Sequence, residues 1–354
     1  MITMEELLSL LVRQGGSDLH ISIQSPPRIR VDGMLLPVDC PPLTPEDTRR
    51  LATSVLTSDQ IAKLDRELEL DCSFGLADKG RFRANVFHQQ GSVAAVMRLI
   101  PNRIASFDQL GLPRQVCERI CGMRAGLVLV TGATGSGKST SLASMVNHIN
   151  QTRQGHIVTI EDPVEFVHQH KQCMVTQREV GGDTRGFGRA LKSVLRQDPD
   201  FILVGELRDL ETIEAALTLA ETGHLTFGTL HTSDAVQTIN RIVDVFPAHQ
   251  QQQVRTQLSF SLEAVFSQQL LPLATGRGRA LAAEVMLATP AVRALIREGK
   301  NHQIYSQIQT GGRLGMKTMA TSLAELVRSG RVRLEEAERT ATDLNELRTL
   351  VRAA

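Results

Sequence analysis

The stretch TGATGSGKST, Thr131 to Thr140, lies between the apolar run GLVLV and the helix-like segment SLASMVNHIN. Within it, Gly132-Ala133-Thr134-Gly135-Ser136-Gly137-Lys138-Ser139 fits G-x-x-x-x-G-K-[ST] in the strand–loop–helix setting that the pattern requires. Its glycines let consecutive backbone N–H groups turn inward around phosphate oxygens, and the start of the following helix adds a favourable dipole. Lys138 brings a mobile positive charge to the β- and γ-phosphates, and the Ser139 hydroxyl suits Mg²⁺. Together with Thr140 these residues predict a site for a nucleoside triphosphate.

Outward from this loop, the chain alternates strand and helix, which predicts a mainly parallel α/β sheet. The strand candidates are GLVLVTG, HIVTIED, FILVGEL, HLTFGTLH and ALAAEVML, nearly continuous apolar runs that suit a sheet covered on both faces. In such a sheet, ligands sit outside the carboxyl ends of the strands. HIVTI runs into Glu161-Asp162-Pro163-Val164-Glu165, FILVG ends in Glu206, and HLTFGTL ends in His231. Hydrolysis needs a carboxylate to orient or deprotonate water and an acid to hold the Mg²⁺ shell. Glu165, past its strand in a loop, is the expected base, with Glu161 and Asp162 as competitors. Glu206 ends a buried run, where a carboxylate is costly unless it faces a metal, so it joins Ser139 as an expected metal ligand. Asp198 and Asp200 precede FILVG and belong to the far end as structural groups. His224 and His231 are seven apart, hence roughly 23 Å along a continuous strand and on opposite faces. His231 suits a γ-phosphate sensor; His224 suits an intersubunit or structural role.

Ahead of the sheet, MEELLSLLVRQ has helical periodicity, SDLHIS and RIRVDGMLLPV read as strands with a turn at Asp32-Gly33, and two helices follow from Thr44 to Glu67. LDCSF, RFRANVFH and VAAVMRLI then alternate as strands joined by ADKG and QQG. The expected organisation is therefore an α+β domain over 1–100, a linker over 101–106 opened by Pro101, and an ATPase-type domain over 107–354 with a helical C-terminal region. At 354 residues and net charge +1, with no Trp and one Tyr, the chain lacks the field and the stacking platforms of a nucleic-acid binder. Five cysteines without C-x-x-C spacing fit reduced cytoplasmic thiols. Neither a signal peptide nor a membrane-length apolar run is legible, so a soluble intracellular chain without membrane insertion is expected.

Taken in order, GATGSGKST, TIEDPVEFVH, DPDFILVGELRD and ETGHLTFGTLHT resemble the Walker A, Asp-box, Walker B and His-box of secretion ATPases, and most of all the PilT-like type IV pilus retraction ATPases. GGSDLHIS, GRFRANVF, DVFPA, TPAVRALIREGK and IQTGGRLGM extend the likeness over nearly the whole chain. The resemblance implies a PAS-like N-terminal domain, a RecA-like C-terminal domain, and hydrolysis of ATP. It also implies a homo-hexamer with sites at subunit boundaries, docked on an inner-membrane platform protein from the cytoplasmic side. By position, Arg81 and Arg83 match family arginines that approach the triphosphate, Arg279 is a third candidate, and His224 matches the other His-box residue. One departure stands out: the motif A-I-R-N-L-I reads Ala291-Val292-Arg293-Ala294-Leu295-Ile296, with Ala294 for Asn. The alternative it raises is an accessory paralogue that binds nucleotide and supports a partner retraction ATPase. The long N-terminal region and four-cysteine module of extension-type relatives are not found, which argues against pilus extension.

Overall fold

The computed structural model describes residues 2–31, 33–76, 79–100 and 104–352. Asp32 of the expected hairpin turn, Ala77 and Asp78 of ADKG, and residues 101–103 of the expected linker lie outside them. The chain divides into two compact units, one of residues 1–103 with 165–167, the other of residues 104–164 with 168–354.

In the first unit the order is α1 (Met4–Arg13), β1 (Asp18–Ile21), β2 (Arg28–Val31), β3 (Met34–Pro37), α2 (Pro45–Thr53), α3 (Ser58–Glu67), β4 (Glu69–Leu76), β5 (Gly80–Gln89) and β6 (Ser92–Ile100). Each of the three helices starts on a threonine, Thr3, Thr44 or Thr57. Its hydroxyl accepts an amide of the first turn, while Glu6, Asp47 or Gln60 accepts the threonine's own N–H. Among the described residues the strands form one antiparallel sheet in the order β3-β2-β1-β6-β5-β4. Leu7, Leu8, Leu11, Leu51 and Leu64 bury themselves with Phe82, Ala84, Val86 and Met97 in its core. Because successive strand residues alternate faces, Arg81 and Arg83 point away from the Phe82–Ala84 side.

The second unit runs α4 (Phe107–Leu110), α5 (Arg114–Cys121), β7 (Gly126–Thr131), α6 (Lys138–Thr152), β8 (Gly155–Glu161), β9 (Cys173–Glu179), α7 (Phe187–Val194), β10 (Phe201–Val204), α8 (Leu210–Glu221), β11 (Leu225–Leu230), α9 (Ala235–Asp244), α10 (Ala248–Ser261), β12 (Leu262–Pro272) and β13 (Arg279–Leu287). The helices α11 (Pro290–Arg297), α12 (Ile304–Thr310), α13 (Met319–Arg328), α14 (Leu334–Thr340) and α15 (Leu344–Arg352) complete it. The sheet order is β13-β12-β7-β11-β10-β8-β9. Every neighbouring pair from β12 to β9 is parallel, and only β13 runs antiparallel. Every residue of β7, β10 and β11 is buried, as both-face coverage demands. Each large side chain enclosed this way contributes about 1.5–3 kcal/mol of transfer free energy. Two strands, β9 and β12, were not anticipated from the sequence, and ALAAEVML pairs antiparallel instead of extending the parallel set. Behind β12 and β13, Leu271, Ala280 and Ala282 pack with Met319, Leu323 and Leu347, so the C-terminal helices share a second core. Among the described residues no helix is long and apolar enough to cross a membrane.

Candidate active site

The loop from β7 to α6 is shaped by its glycines. Gly132 has φ +140, and a Cβ there would lie 2.4 Å from the Gln268 carbonyl oxygen and 2.6 Å from Ser136 Oγ. Gly135 also has positive φ, +80, but open space around it. Gly132→Ala therefore combines steric overlap with backbone strain of ~1–3 kcal/mol, and is expected to weaken nucleotide binding roughly 10–100-fold. Gly135→Ala, strained in the backbone alone, is expected to weaken it less. Titration with a fluorescent ADP analogue ranks the two, and equal losses would contradict the packing argument.

The α6 helix is capped by Gly137 (φ 89), and no side chain caps its first turn. Its leading amides thus project toward the loop, the arrangement that binds anions. Lys138 Nζ donates to the carbonyls of Gly132 at 2.7 Å and Ala133 at 3.0 Å, which keeps its charge on the loop. Ser136 Oγ is buried without a hydrogen-bond partner. The leading amides and the orphaned hydroxyl are donors facing the loop, the Lys138 ammonium holds positive charge beside them, and a polyphosphate tail supplies acceptors only. The residues present fit a nucleotide. Ser139 and Thr140 follow in the first turn of α6, half-buried.

The parallel pairing of β8, β10, β11 and β7 brings their carboxyl ends to one edge. Glu206 follows β10, two strand positions from β7 and hence about 10 Å across the sheet. Its Oε2 takes the Arg208 guanidinium at 2.7 Å, and its Oε1 lies 3.2 Å from His231 Nε2. Burial pushes this carboxyl up, but the Arg208 hydrogen bond and charge, with His231 behind them, more than offset it and leave it below its ordinary value. The carboxylate is ionised and accepts only, so the proton of its contact with His231 belongs on Nε2. Glu161 closes β8 differently: its Oε1 accepts from Thr159 Oγ1 at 2.6 Å and Gln177 Nε2 at 3.2 Å, tying it into the β8–β9 pair. Beyond it, buried Glu179 accepts the Val164 N–H at 3.1 Å and anchors the outgoing loop just before the exposed Glu165.

Arg279, the first residue of β13, reaches the phosphate loop and donates to the Gly135 carbonyl at 3.3 Å. With Gly132 to Ser136, Ser233 and Gln268 it lines a cleft of about 330 Å³. A second hollow of about 260 Å³ lies beside Gly137 and Thr140, walled by Leu110, Leu270 and Leu281. Leu270 and Arg279 line both hollows, each of mixed polar and apolar lining.

A model of the family described as type II/IV secretion system protein matches residues 1–339. The chain belongs to this family. Within it the chain is PilT-like. It is 51% identical to the "Type IV pilus retractation ATPase PilT" of Pseudomonas aeruginosa, over 95% of this chain and 97% of that one. It is 42% identical to the "Type IV pilus ATPase PilU" of the same organism, over 98% and 91%. The crystal structure of the pilus retraction motor PilT with bound ADP superimposes with a TM-score of 0.92 at 50% identity, covering 99% of this chain and 100% of that one. The loop alone implied a nucleoside triphosphate site, and ATPase activity is what these relatives share.

In this PilT-like chain the second unit by itself gathers the phosphate loop, Glu206, His231 and Arg279 at one sheet edge. Glu165 groups by contact with the first unit, where Arg81 and Arg83 also lie on β5. Arg81 Nη2 donates to Ser73 Oγ at 2.6 Å, while Arg83 is exposed. His224 precedes β11 and His231 follows it, so they flank opposite ends of the strand. His224 Nδ1 lies 3.0 Å from the Leu219 carbonyl oxygen at the end of α8, a helix-terminating contact. Asp200, at that same far end, accepts the His156 N–H at 2.8 Å. In the AVRALI segment of α11, Arg293 donates to the Ser259 and Phe260 carbonyls at 2.8 and 2.9 Å and pairs with Glu263 at 2.8 Å, closing the end of α10. Ala294 is half-buried beside it.

Two polar residues escaped the sequence reading. Gln268, 1% exposed on β12, donates to Ser141 Oγ at 2.8 Å and accepts from it at 3.2 Å, clamping α6 to the sheet one turn past the loop. Glu284, 3% exposed, interrupts the apolar run of β13. The only sequence signal for either was a polar residue inside a run that otherwise reads as core.

Proposed function

We propose that this chain is a homo-hexameric, ATP-hydrolysing motor that retracts a type IV pilus, working at the cytoplasmic face of the inner membrane on a platform protein. The observation that carries the reading is likeness to the retraction motor along essentially the whole chain, supported by the phosphate loop, Glu206, His231 and Arg279 at one sheet edge.

When bound, Mg²⁺–ATP supplies the phosphoanhydride to be cleaved and a cation that screens its charge. The amides of Gly132 to Thr140 surround the phosphate oxygens, and the Lys138 ammonium exchanges the Gly132 and Ala133 carbonyls for them. Ser139 Oγ and the Glu206 carboxylate would hold Mg²⁺, where it would screen the phosphate charge. Glu165 takes the proton of the attacking water, at the end of a loop whose root is pinned by Glu179. Arg81, Arg83 and Arg279 bring positive charge to the transferring group, and His231, hydrogen-bonded to Glu206, registers the γ-phosphate. His224 serves the fold or a subunit boundary. The hollow beside Gly137, with Leu110, Leu270 and Leu281 in its wall, takes the base. Residues 1–100 and 107–354 act as the two domains of each subunit, joined through 101–106, and their rigid-body movement converts hydrolysis into pilus disassembly.

Deleting the gene is expected to leave cells that carry excess surface pili and do not twitch; bald cells would overturn retraction. A second reading, an accessory paralogue that binds nucleotide and supports a partner retraction ATPase, is favoured by Ala294 in α11. It predicts that the purified chain hydrolyses ATP only with a partner ring. Robust turnover by the chain alone rejects it.

A further inference from the structure

We propose that Glu284 is a positioning residue for the ATPase reaction: its buried carboxylate seats the first turn of α9, and with it the His231–Ser233 loop, against the C-terminal helices. The inference rests on the ATPase reading above and extends it to a residue remote from the phosphates.

Glu284 sits in the middle of β13, among buried apolar neighbours. Its Oε1 accepts the N–H of Ala235, the first residue of α9, at 2.9 Å. The backbone N–H of Met319, the first residue of α13, faces it from the other side and favours its charged form. The carboxylate therefore binds the N-terminus of α9 and lies at that of α13, where orphaned amides and aligned peptide dipoles favour negative charge. β13 is held against α13 on either side of it: Val285 and Lys317 exchange backbone bonds of 2.8 and 3.0 Å, and Ala283 N–H donates to Ser322 Oγ at 3.0 Å. The α13 side is thus fixed, and the carboxylate transmits that placement to α9.

Upstream of Ala235 lies the loop that matters for hydrolysis. Thr232 Oγ1 bonds Thr238 Oγ1 of α9 at 2.7 Å, Ser233 donates to Gln237 of α9 at 3.0 Å and lines the phosphate-loop cleft, and His231 reaches Glu206 at 3.2 Å. A shift of the first turn of α9 therefore moves Ser233 and His231 together. On the other side, Tyr305 of α12 donates to Glu346 of α15 at 2.5 Å, so the C-terminal helices form the abutment.

The arrangement runs against stability alone. Burial, with the charges of Asp234 and Glu346, outweighs the Ala235 and Met319 amides and leaves the Glu284 carboxyl pushed up to about 7. The groups facing it are Asp234 from α9, Tyr305 from α12 and Glu346 from α15, with Lys317 before α13 engaged by Glu325. A carboxyl raised in the folded state contributes stability that is complete below its unfolded value and is lost as pH climbs to about 7. Above about pH 7 the fold therefore carries a charge it would be more stable without, and groups of that kind concentrate at functional sites.

The test compares wild type with Glu284→Gln and Glu284→Asp, measuring kcat and KM for ATP at pH 8 and Tm from pH 5 to 8. The neutral isostere is expected to flatten the fall of Tm with pH and, at the same time, to lower kcat about 10-fold with KM within twofold. The shorter acid, withdrawn from both amides, is expected to lose kcat at least as much while keeping the pH slope, and it carries the test if the first variant does not fold. Wild-type kcat in a folded variant that has lost the slope assigns Glu284 to folding alone and overturns the inference. Absence of turnover in the wild type would instead refute the ATPase reading, so the two failures are read from different proteins.

Discussion

Lys138→Ala is expected to lower ATP turnover by about 10³-fold or more while the chain stays folded. A cation at a transferring phosphoryl group is worth ~10³–10⁵ in rate when it neutralises charge that develops in the transition state. In the structure that cation is already held on the loop by the Gly132 and Ala133 carbonyls, at 2.7 and 3.0 Å. Removing it leaves exposed or half-buried loop groups to water, and α6 keeps its fifteen residues, so the melting curve should barely move. Lys138→Arg is no rescue, because a planar fork cannot replace a compact, swivelling point charge in so narrow a loop. Phosphate release under saturating ATP, read beside thermal melting, decides the matter. Turnover within threefold of wild type would remove Lys138 from the mechanism.

The second large effect falls on the general base. Glu165→Gln is expected to reduce kcat ~10²–10⁴-fold, the span a positioned proton acceptor contributes, with nucleotide affinity unchanged. Glu161→Gln should lose no more than a few-fold. The Glu161 oxygen that takes Thr159 and Gln177 is an acceptor in both cases, and an amide oxygen can still accept from them. Single-turnover hydrolysis with equilibrium nucleotide binding separates the two variants. If Glu161→Gln shows the deep loss and Glu165→Gln does not, the base belongs at the strand end and not in the loop.

Much of this site was legible because its chemistry is local. The Gly132–Ser139 loop is contiguous, and the parallel direction of β7, β8, β10 and β11 follows from strand–helix alternation. Glu206 and His231 therefore had to arrive at the same edge. What escaped was non-local or unpunctuated. The helix α10 ends at Ser261 and β12 begins at Leu262 with no intervening loop, so no Gly, Pro or Asn marks the change. Missing β12 also hid its hairpin with β13, and with it the antiparallel edge. The β9 strand, CMVTQRE, is an edge strand with Met174 exposed, and its mixed polarity reads like the loop before it. Arg81 and Arg83 show the opposite limit: alternation places them on the outer face of β5, and only family likeness gives them a role. Gln268 and Glu284 were silent because a lone polar residue in an apolar run has no meaning until its partners, Ser141, Ala235 and Met319, are known.

The most direct test is a crystal structure of this chain with Mg²⁺ and a non-hydrolysable ATP analogue. Triphosphate oxygens are expected within about 2.7–3.2 Å of the amides from Gly135 to Ser139 and of Lys138 Nζ, with the Glu206 carboxylate bound to the cation directly or through one water. An analogue seated elsewhere, or a cation that neither Glu206 nor Ser139 reaches, would contradict the account.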